Sequence, residues 1–324
     1  MALLKVPDNL PQLVSAAFRR ARNNKDLSFF PTQVAVLNTG SSNMQLRYAP
    51  SLAHKPKSTP GTASSDPFAS PPAGLYIAAL SPTHYLVLNK FAIAPDHFIL
   101  ATTQWASQDA VLAAADLAAA HACVRAYRGW AGDNSTGAAR LGLLMFFNSG
   151  AGSGASQPHR HLQMLPLSSL YDGLPGDSAW GVLCDAVVGG AETAQYEFGV
   201  FGASMAGVEA PEQVWDMYFR LYQQACAAVL GAGVEVLPEG KALISYNLVM
   251  TEKSMVLCPR TAEGAEIQVK GGKGRVQFNG TVLAGTALVK NETEWDALRE
   301  DPEILKTALQ QVGVSKDFTT LHKL

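Results

Sequence analysis

Two histidines and a glutamine alternate along a short segment that follows a loop rich in glycine and serine. The segment at 159–163 has the sequence HRHLQ, and the loop at 148–158 has the sequence NSGAGSGASQP. Because side chains on a strand alternate between faces, His159, His161 and Gln163 share one face. Glycine lets loop amides curl around an anion, and neutral imidazole is a good nucleophile near neutral pH. This pattern predicts attack on a phosphoryl group through a covalent phosphohistidine.

Two other interpretations of the histidine pair are weaker. An H-x-H pair on a strand can bind a metal ion, but that site needs further ligands, and Gln163 is a poor one. Two surface histidines beside a flexible linker would need no function at all. The adjoining glycine loop, and the Leu-Gln pair that follows the histidines, favour the phosphoryl site over both.

The wider segment FFNSGAGSGASQPHRHLQMLPL, at 146–167, resembles the active-site segment of the histidine-triad superfamily. More narrowly, the chain is similar to the diadenosine tetraphosphate phosphorylases, also called ATP adenylyltransferases. The similarity extends to LAHKPK at 52–57, HYLVLNKFAIAPDHFILAT at 84–102, SYNLVMT at 245–251 and FNGTVLAGTALVK at 278–290. Together these segments span most of the chain and are more specific than H-x-H-x-Q alone.

The resemblance implies a role for each matching residue. His161 corresponds to the nucleophile that becomes adenylylated, and His159 orients and supports the site. Gln163 stands where the superfamily's hydrolases carry a third histidine; an amide cannot transfer a proton, but it can hydrogen-bond phosphoryl oxygens. The implied substrate-binding residues are Lys55, Asn89, Lys90, Asn148, Gly154, Ala155, Ser156, Gln157, Gln163, Asn279, Gly280, Thr281, Thr286 and Lys290.

The reaction implied by the resemblance is phosphorolysis of diadenosine tetraphosphate to ATP and ADP through an adenylyl-histidine. The expected partners are these nucleotides and inorganic phosphate, with a divalent cation such as Mg²⁺ arriving on the polyphosphate and no protein metal site. Two alternatives stay open. One is a related nucleotidyltransferase or phosphorylase that acts on a sugar nucleotide, and the other is a non-catalytic nucleotide-binding regulator.

Composition excludes several other classes of protein. Of the 324 residues, 48% are apolar, which rules out global disorder, and the net charge of −2 argues against a nucleic-acid or polybasic membrane surface. No uninterrupted apolar run reaches the roughly 18 residues of a membrane span. Four cysteines without a C-x-x-C pair predict buried reduced thiols in a cytoplasmic protein. A nuclear location and organelle targeting by a helix at 11–24 stay open.

The pattern of elements predicts an α+β fold of histidine-triad-like antiparallel sheets flanked by helices. Helices are predicted at 107–130, capped by Ser107, and at 211–230, and apolar runs predict strands around the histidine motif. A weak internal echo suggests two related halves. We expect a catalytic half at 1–165, a connecting segment at 166–210 and a second half at 211–324 that completes the nucleotide site.

Overall fold

A computed structural model describes residues 4–50, 66–130 and 142–322 of the chain. Its helices are α1 (Leu10–Asn23), α2 (Ala114–Ala126), α3 (Leu167–Leu170), α4 (Leu183–Val188), α5 (Pro211–Leu230), α6 (Glu292–Glu300) and α7 (Pro302–Gln310). Its strands are β1 (Ser28–Phe29), β2 (Gln33–Asn38), β3 (Asn43–Tyr48), β4 (Tyr76–Ser81), β5 (His84–Leu88), β6 (Phe91–Ala92), β7 (Phe98–Thr102), β8 (Leu143–Ser149), β9 (His161–Pro166), β10 (Phe201–Ser204), β11 (Tyr246–Met250), β12 (Ser254–Pro259), β13 (Gly264–Val269), β14 (Gly272–Gln277), β15 (Thr286–Val289) and β16 (Thr320–His322). Short 3-10 turns lie at Ala151–Ser153, Gly280–Ala284 and Lys316–Phe318.

Nine strands form one sheet in the order β16-β10-β12-β11-β8-β9-β7-β5-β4. Its neighbours from β10 to β4 are antiparallel, and β16 joins the edge parallel to β10. Smaller sheets are β15-β3-β2, β13-β14 and β1-β6. The predicted α+β class with largely antiparallel sheets and flanking helices is therefore confirmed.

Strand β8 is buried on both faces, which explains its unbroken apolar sequence. Leu143, Met145 and Phe147 pack into the core layer that contains the apolar faces of α1, α2 and α5. Leu144 and Phe146 point into the opposite layer, with residues of α4, α6 and α7. The sheet is thus a shared wall between two cores, and its polar positions near the ends of β8 and β9 are exceptions that call for a reason.

The helix predicted at 107–130 is shorter than expected and begins at Ala114. Residues 107–113 form a turn and an irregular stretch instead of a helix, because their backbone groups pair with other segments: Gln108 N–H donates to Pro158 O, and Val111 N–H donates to Gly240 O. Ser107 does not cap this helix; it forms an isolated β-bridge with His159. The helix predicted at 211–230 is confirmed.

The internal echo holds for one pair of segments and fails for the other. Strands β5 and β7 are antiparallel neighbours, as are β11 and β12, and both pairs lie in the nine-stranded sheet. However, β8 belongs to that sheet, whereas β14 pairs only with β13. The division at 165 and 210 stays a prediction, since β8 from the first part pairs directly with β11 from the last.

Within the described ranges, no helix combines the length and apolar character that a membrane crossing requires.

Candidate active site

His161 is the first residue of β9, and both its backbone and its ring are held in place. Its N–H donates to Gln108 Oε1 at 2.8 Å, and its Nδ1 lies 2.8 Å from the carbonyl oxygen of His159. A carbonyl accepts only, so Nδ1 carries the proton and the neutral ring has its lone pair on Nε2. The side chain is buried and its tautomer is the one that a nucleophile needs.

Gln108, which the sequence did not point to, fills a gap in the sheet beside His161. The ladder between β8 and β9 ends at the pair Phe146–Gln163. Beyond it, the Gln108 amide stands between the strands, donating to Asn148 O at 2.8 Å and to His161 O at 3.2 Å. Because it also accepts from His161 N–H, this buried side chain replaces a missing peptide partner for both strands.

His159 lies just before β9 rather than in it, and both ring nitrogens are engaged. Nδ1 is 2.6 Å from Asp66 Oδ2, and Nε2 is 2.9 Å from both the hydroxyl and the carbonyl oxygen of Thr102. Burial alone would raise the pKa of Asp66, but hydrogen bonds from His159 and the Phe68 N–H outweigh it, so that pKa lies below its ordinary value. His159 is therefore fixed beside a carboxylate, consistent with the orienting role predicted for it.

Asp66 and Phe68, which come from the segment before β4, reach into the site. The Phe68 ring stacks on the His161 imidazole with centroids 4.9 Å apart and meets His159 edge-on at 5.6 Å. Asp66 and Phe68 belong to a stretch at 49–74 that is rich in proline, serine and alanine, and no local pattern in it indicates either residue as part of a site. Lys55, the predicted phosphate contact from the same stretch, lies outside the described residues.

Gln163 follows His161 on the same face of β9, as predicted, and its side chain is anchored by two residues. Its Oε1 accepts hydrogen bonds from His97 Nε2 at 2.7 Å and from Asn89 Nδ2 at 3.2 Å. The structure thus brings Asn89 to the histidine motif as the resemblance implied. Lys90, its neighbour in the chain, is exposed at the same edge.

The glycine loop needs its glycines for close approach to the second half of the chain. Gly154 has φ +78°, and a Cβ there would lie 2.6 Å from the carbonyl oxygen of Phe278. Ala155, Ser156 and Gln157 continue from this contact towards the histidines, and Ser156 is exposed. Gly154 therefore allows the loop to approach the backbone at Phe278 in a conformation that other residues rarely adopt.

Some backbone N–H groups of the glycine loop already donate hydrogen bonds to other residues of the protein. Gly150 N–H donates to Asp109 Oδ1 at 3.0 Å, and Gly152 N–H donates to Ser245 Oγ at 3.2 Å. These bonds pin the first half of the loop. The amides predicted to meet phosphate are those of the later stretch at 154–157, of which Ala155 N–H also donates to Ser153 Oγ at 3.3 Å.

Asn148 lies where the loop, β11 and the 3-10 turn at 280–284 meet. Its Oδ1 accepts from Gly280 N–H and from Asn247 Nδ2, each at 2.8 Å, and Asn247 also donates to Ser153 O. A Cβ on Gly280 would lie 2.9 to 3.0 Å from Phe146 and Asn148. This arrangement places Gly280 next to Asn148, and it occupies the Asn148 oxygen with protein donors.

The other predicted residues of the second half divide into two groups. Asn279 caps the turn by accepting from the N–H and hydroxyl of Thr281, close to the glycine loop. Thr286 instead donates to Gln45 on β3, and Lys290 Nζ lies 3.3 Å from the glutamine side chain that ends β14. The side-chain hydrogen bonds of Thr286 and Lys290 therefore tie them to the smaller sheets, while the Thr286 carbonyl also accepts from the Thr281 hydroxyl at 2.9 Å.

A buried charged group lies under the histidine motif. Arg160 donates to Asp116 Oδ2 at 2.7 Å, and His84 Nε2 lies 2.8 Å from Asp116 Oδ1. Burial opposes the charge on Asp116, but the hydrogen bond with His84 and the attraction of Arg160 outweigh it and lower the pKa of this carboxyl. The group fastens the start of α2 to the residue between the two histidines.

Several residues of the site escaped the sequence analysis, among them Asp66, Phe68, His97, Gln108 and Asp116. One signal was available, because alternation sends Arg160 to the face opposite the histidines, into an apolar layer where it needs a carboxylate. Asp116 is the acidic residue of the apolar α2 segment. The others depend on contacts between residues that are far apart in the sequence, and no local pattern predicts such contacts.

Comparison with known proteins places the chain in a family. The model of the Ap4A phosphorylase N-terminal domain matches residues 2–175, where Ap4A denotes diadenosine tetraphosphate. The model of the ATP adenylyltransferase C-terminal domain matches residues 194–315. The chain belongs to the Ap4A phosphorylase family. This membership confirms the predicted family and the predicted enzyme class, a nucleotidyltransferase of diadenosine polyphosphate catabolism.

Relatives in the Ap4A phosphorylase family match nearly the full length. Diadenosine 5',5'''-P1,P4-tetraphosphate phosphorylase 2 of Saccharomyces cerevisiae is 28% identical over 324 residues, covering 95% of each chain. Protein APA1 of the same yeast is 25% identical over 322 residues, covering 96% of each chain. The crystal structure of yeast Ap4A phosphorylase Apa2 shares the fold with a TM-score of 0.74 at 24% identity, covering 96% of this chain and 99% of that one.

A resident metal site finds no support in the side chains that the structure describes. Among them, no three histidine, cysteine, aspartate or glutamate residues converge on one point. The buried His159 and the partly exposed Asp66 are hydrogen-bonded to each other.

Proposed function

We propose that this chain cleaves diadenosine tetraphosphate by phosphorolysis and releases ATP and ADP. The observation that carries the proposal is the hydrogen bond from His161 Nδ1–H to the His159 carbonyl, which leaves the lone pair on Nε2. Family membership supports the substrate, and so does yeast Apa2, a related fold that has been crystallised in complex with Ap4A.

The reaction proceeds in two displacements at one phosphorus. In the first, His161 Nε2 attacks an α-phosphorus, a P–N bond forms, and the bond to the bridging oxygen breaks so that ATP leaves. In the second, an oxygen of inorganic phosphate attacks the adenylyl phosphorus, the P–N bond breaks, and ADP leaves. His161 returns to its neutral form, so the enzyme is unchanged and the reaction can run in either direction.

The surrounding residues act on charge and position. In this proposal Gln163 and the later amides of the glycine loop hydrogen-bond phosphoryl oxygens, Asn89 contributes the second hydrogen of the NH₂ group that also donates to Gln163, and Lys90 adds positive charge at the same edge. In this proposal the turn at 279–281 completes the site from the second half of the chain. Lys55, Thr286 and Lys290 stay in the proposal only through the family resemblance.

A divalent cation, with Mg²⁺ as the natural choice, is proposed to arrive bound to the polyphosphate. Its chemistry would be the neutralisation of phosphate charge. The partners proposed are nucleotides and inorganic phosphate, without nucleic acid or membrane. The four buried thiols, with pKa values raised by burial to about 12 at Cys123 and Cys258, suit the reducing cytoplasm that we propose as the compartment, with the nucleus as an alternative.

The test is covalent labelling by substrate with a marked α-phosphate. Wild-type protein should retain the label, and His161→Ala should lose both labelling and turnover. His322→Ala is a matched control, since His322 lies on β16 at the far edge of the sheet. Labelling that survives His161→Ala but disappears in His159→Ala would move the nucleophile to the other histidine.

Two rival functions give different results in the same assay. A sugar-nucleotide enzyme would need a sugar phosphate as acceptor, or a sugar nucleotide as substrate, and would form no ATP from Ap4A and phosphate. A nucleotide-binding regulator would bind Ap4A without retaining label. Product analysis with phosphate against hexose phosphate therefore separates the three functions.

A further inference from the structure

The side chain of Gln163 is oriented by two donors that come from the hairpin between β5 and β7. His97 and Asn89 both point at Oε1, at 2.7 and 3.2 Å, and the three side chains are largely buried. An amide carries its acceptor and its donors at opposite corners. With Oε1 committed to this pair, the NH₂ group of Gln163 is directed away from His97.

Each donor is itself fixed by a backbone amide of the same hairpin. The Phe91 N–H donates to Asn89 Oδ1 at 2.9 Å, so the Asn89 NH₂ group must face Gln163. The Ile93 N–H approaches His97 Nδ1 at 3.5 Å, which makes Nδ1 an acceptor and places the ring proton on Nε2. The orientation of Gln163 is thus set by two adjacent contacts within the protein, whose donor atoms Asn89 Nδ2 and His97 Nε2 lie 3.3 Å apart.

We propose that His97 is a positioning residue that holds the Gln163 amide with its NH₂ group turned to the phosphoryl site, and so favours phosphate over water as acceptor. The proposal rests on the function proposed above. His161 and Gln163 share one face of β9, two positions apart, so a group transferred to His161 lies within reach of Gln163.

The chemical consequence depends on which corner of the amide faces the phosphate oxygens. An NH₂ group donates to these anionic oxygens in the adenylyl-histidine and in the incoming phosphate. A flipped amide would present Oε1, an acceptor that repels both. Attack by water depends more on a general base than on hydrogen-bond donors. Loss of the Gln163 orientation should therefore slow attack by phosphate more than attack by water.

The experiment compares His97→Phe, His97→Asn and His97→Gln, each in wild type and in Gln163→Ala. Phenylalanine keeps ring volume beside Phe146 but has no donor, and asparagine is too short to replace Nε2. Glutamine can place an NH₂ group near the position of Nε2. The readouts are turnover of Ap4A at fixed phosphate, the AMP to ADP ratio, and the thermal midpoint.

In wild type, His97→Phe and His97→Asn should lower phosphorolysis about tenfold, the factor that one neutral hydrogen bond is worth, and raise the AMP share. His97→Gln should recover most of that loss. In the Gln163→Ala background, none of the three should change the AMP to ADP ratio further, because the amide that they orient is absent. If His97→Phe does not fold, His97→Asn against His97→Gln carries the same comparison.

Equal losses in both backgrounds would overturn the proposal, since His97 would then act through something other than Gln163. So would a His97→Gln protein as impaired as His97→Asn, or an AMP to ADP ratio that none of the variants moves. The proposed function fails separately, if the wild-type protein forms no ADP from Ap4A and phosphate.

Discussion

Replacing Gln108 by leucine tests whether this side chain completes the sheet beside the nucleophile. Leucine is of similar size but cannot hydrogen-bond, so His161 N–H and Asn148 O lose the partners that they hold at 2.8 Å. Each buried backbone group left without a partner costs about 1 to 3 kcal/mol, and burying leucine recovers about 1 to 2 kcal/mol. The net destabilisation expected is about 3 kcal/mol.

This loss should be visible in stability and in catalysis. At roughly 2 °C per kcal/mol for a chain of this size, the thermal midpoint should fall by about 6 °C. Release of the His161 backbone allows the ring to shift, and a displacement of about 1 Å can lower turnover about 10²-fold. The assays are thermal unfolding and single-turnover formation of the adenylyl-enzyme.

Gln104→Leu is the matched control, because Gln104 lies four positions earlier and is exposed. It makes the same chemical change and should alter neither quantity. If Gln108→Leu kept a midpoint and a turnover close to those of the control, Gln108 would not be the partner that joins β8 and β9.

Three further predictions concern selectivity, acid stability and the glycine contact. Gln163→His should raise hydrolysis to AMP relative to phosphorolysis to ADP, since imidazole can activate water; an unchanged ratio in an active variant would refute this. The pKa of Asp116 is lowered in the fold, so its stabilisation is full above the ordinary value of 3.8 and is lost as pH falls through the lower folded value. Asp116→Asn should therefore lose stability at pH 7 and less below pH 3, whereas exposed Asp216→Asn should change little in unfolding scans across pH. Gly280→Ala should cost about 1 to 3 kcal/mol in unfolding titrations because its Cβ would meet neighbours at 2.9 to 3.0 Å, whereas Gly176→Ala, with open space around it, should not.

The strands around the histidine motif, and the face that His161 and Gln163 share, could be predicted from the sequence because both depend on local pattern. The apolar run at 141–147 indicated β8, which is covered on both sides, and alternation put His161 and Gln163 on one face. The helix at Pro211–Leu230 was bounded correctly by its proline and by the glycine that follows it. These features need no knowledge of distant contacts.

The start of α2 shows where local pattern fails. Residues 107–113 contain apolar and capping types compatible with a helix, and the sequence favoured one. Their amides and carbonyls instead pair with segments near 158 and 240, so long-range hydrogen bonds override propensity. Gln108 lies in a turn that is kept out of the helix by these hydrogen bonds, which is why its role at the active site could not be predicted.

The active site depends on the second half of the chain through polar contacts that cross the central sheet. Asn148 and Asn247 are directly opposite in the β8–β11 ladder, and their side chains hydrogen-bond to one another. Behind them, the buried Arg260 guanidinium donates to Asn247 Oδ1 and to carbonyls of the second half, without a carboxylate among these partners. Burial lowers the pKa of Arg260, so this charge is retained at an energetic cost that its hydrogen bonds offset.

The direction of these bonds explains why that cost is sustained. Arg260 occupies the Asn247 oxygen, which turns the Asn247 NH₂ group towards Asn148 and the carbonyl of Ser153. Asn148 then has its oxygen oriented to receive Gly280 N–H, which draws the turn at 280–284 against the glycine loop. Each amide is oriented by the one before it, so the buried Arg260 cation contributes to the conformation of the loop beside His161. A first half alone would contain the histidines but would lack the contacts that shape the loop around them.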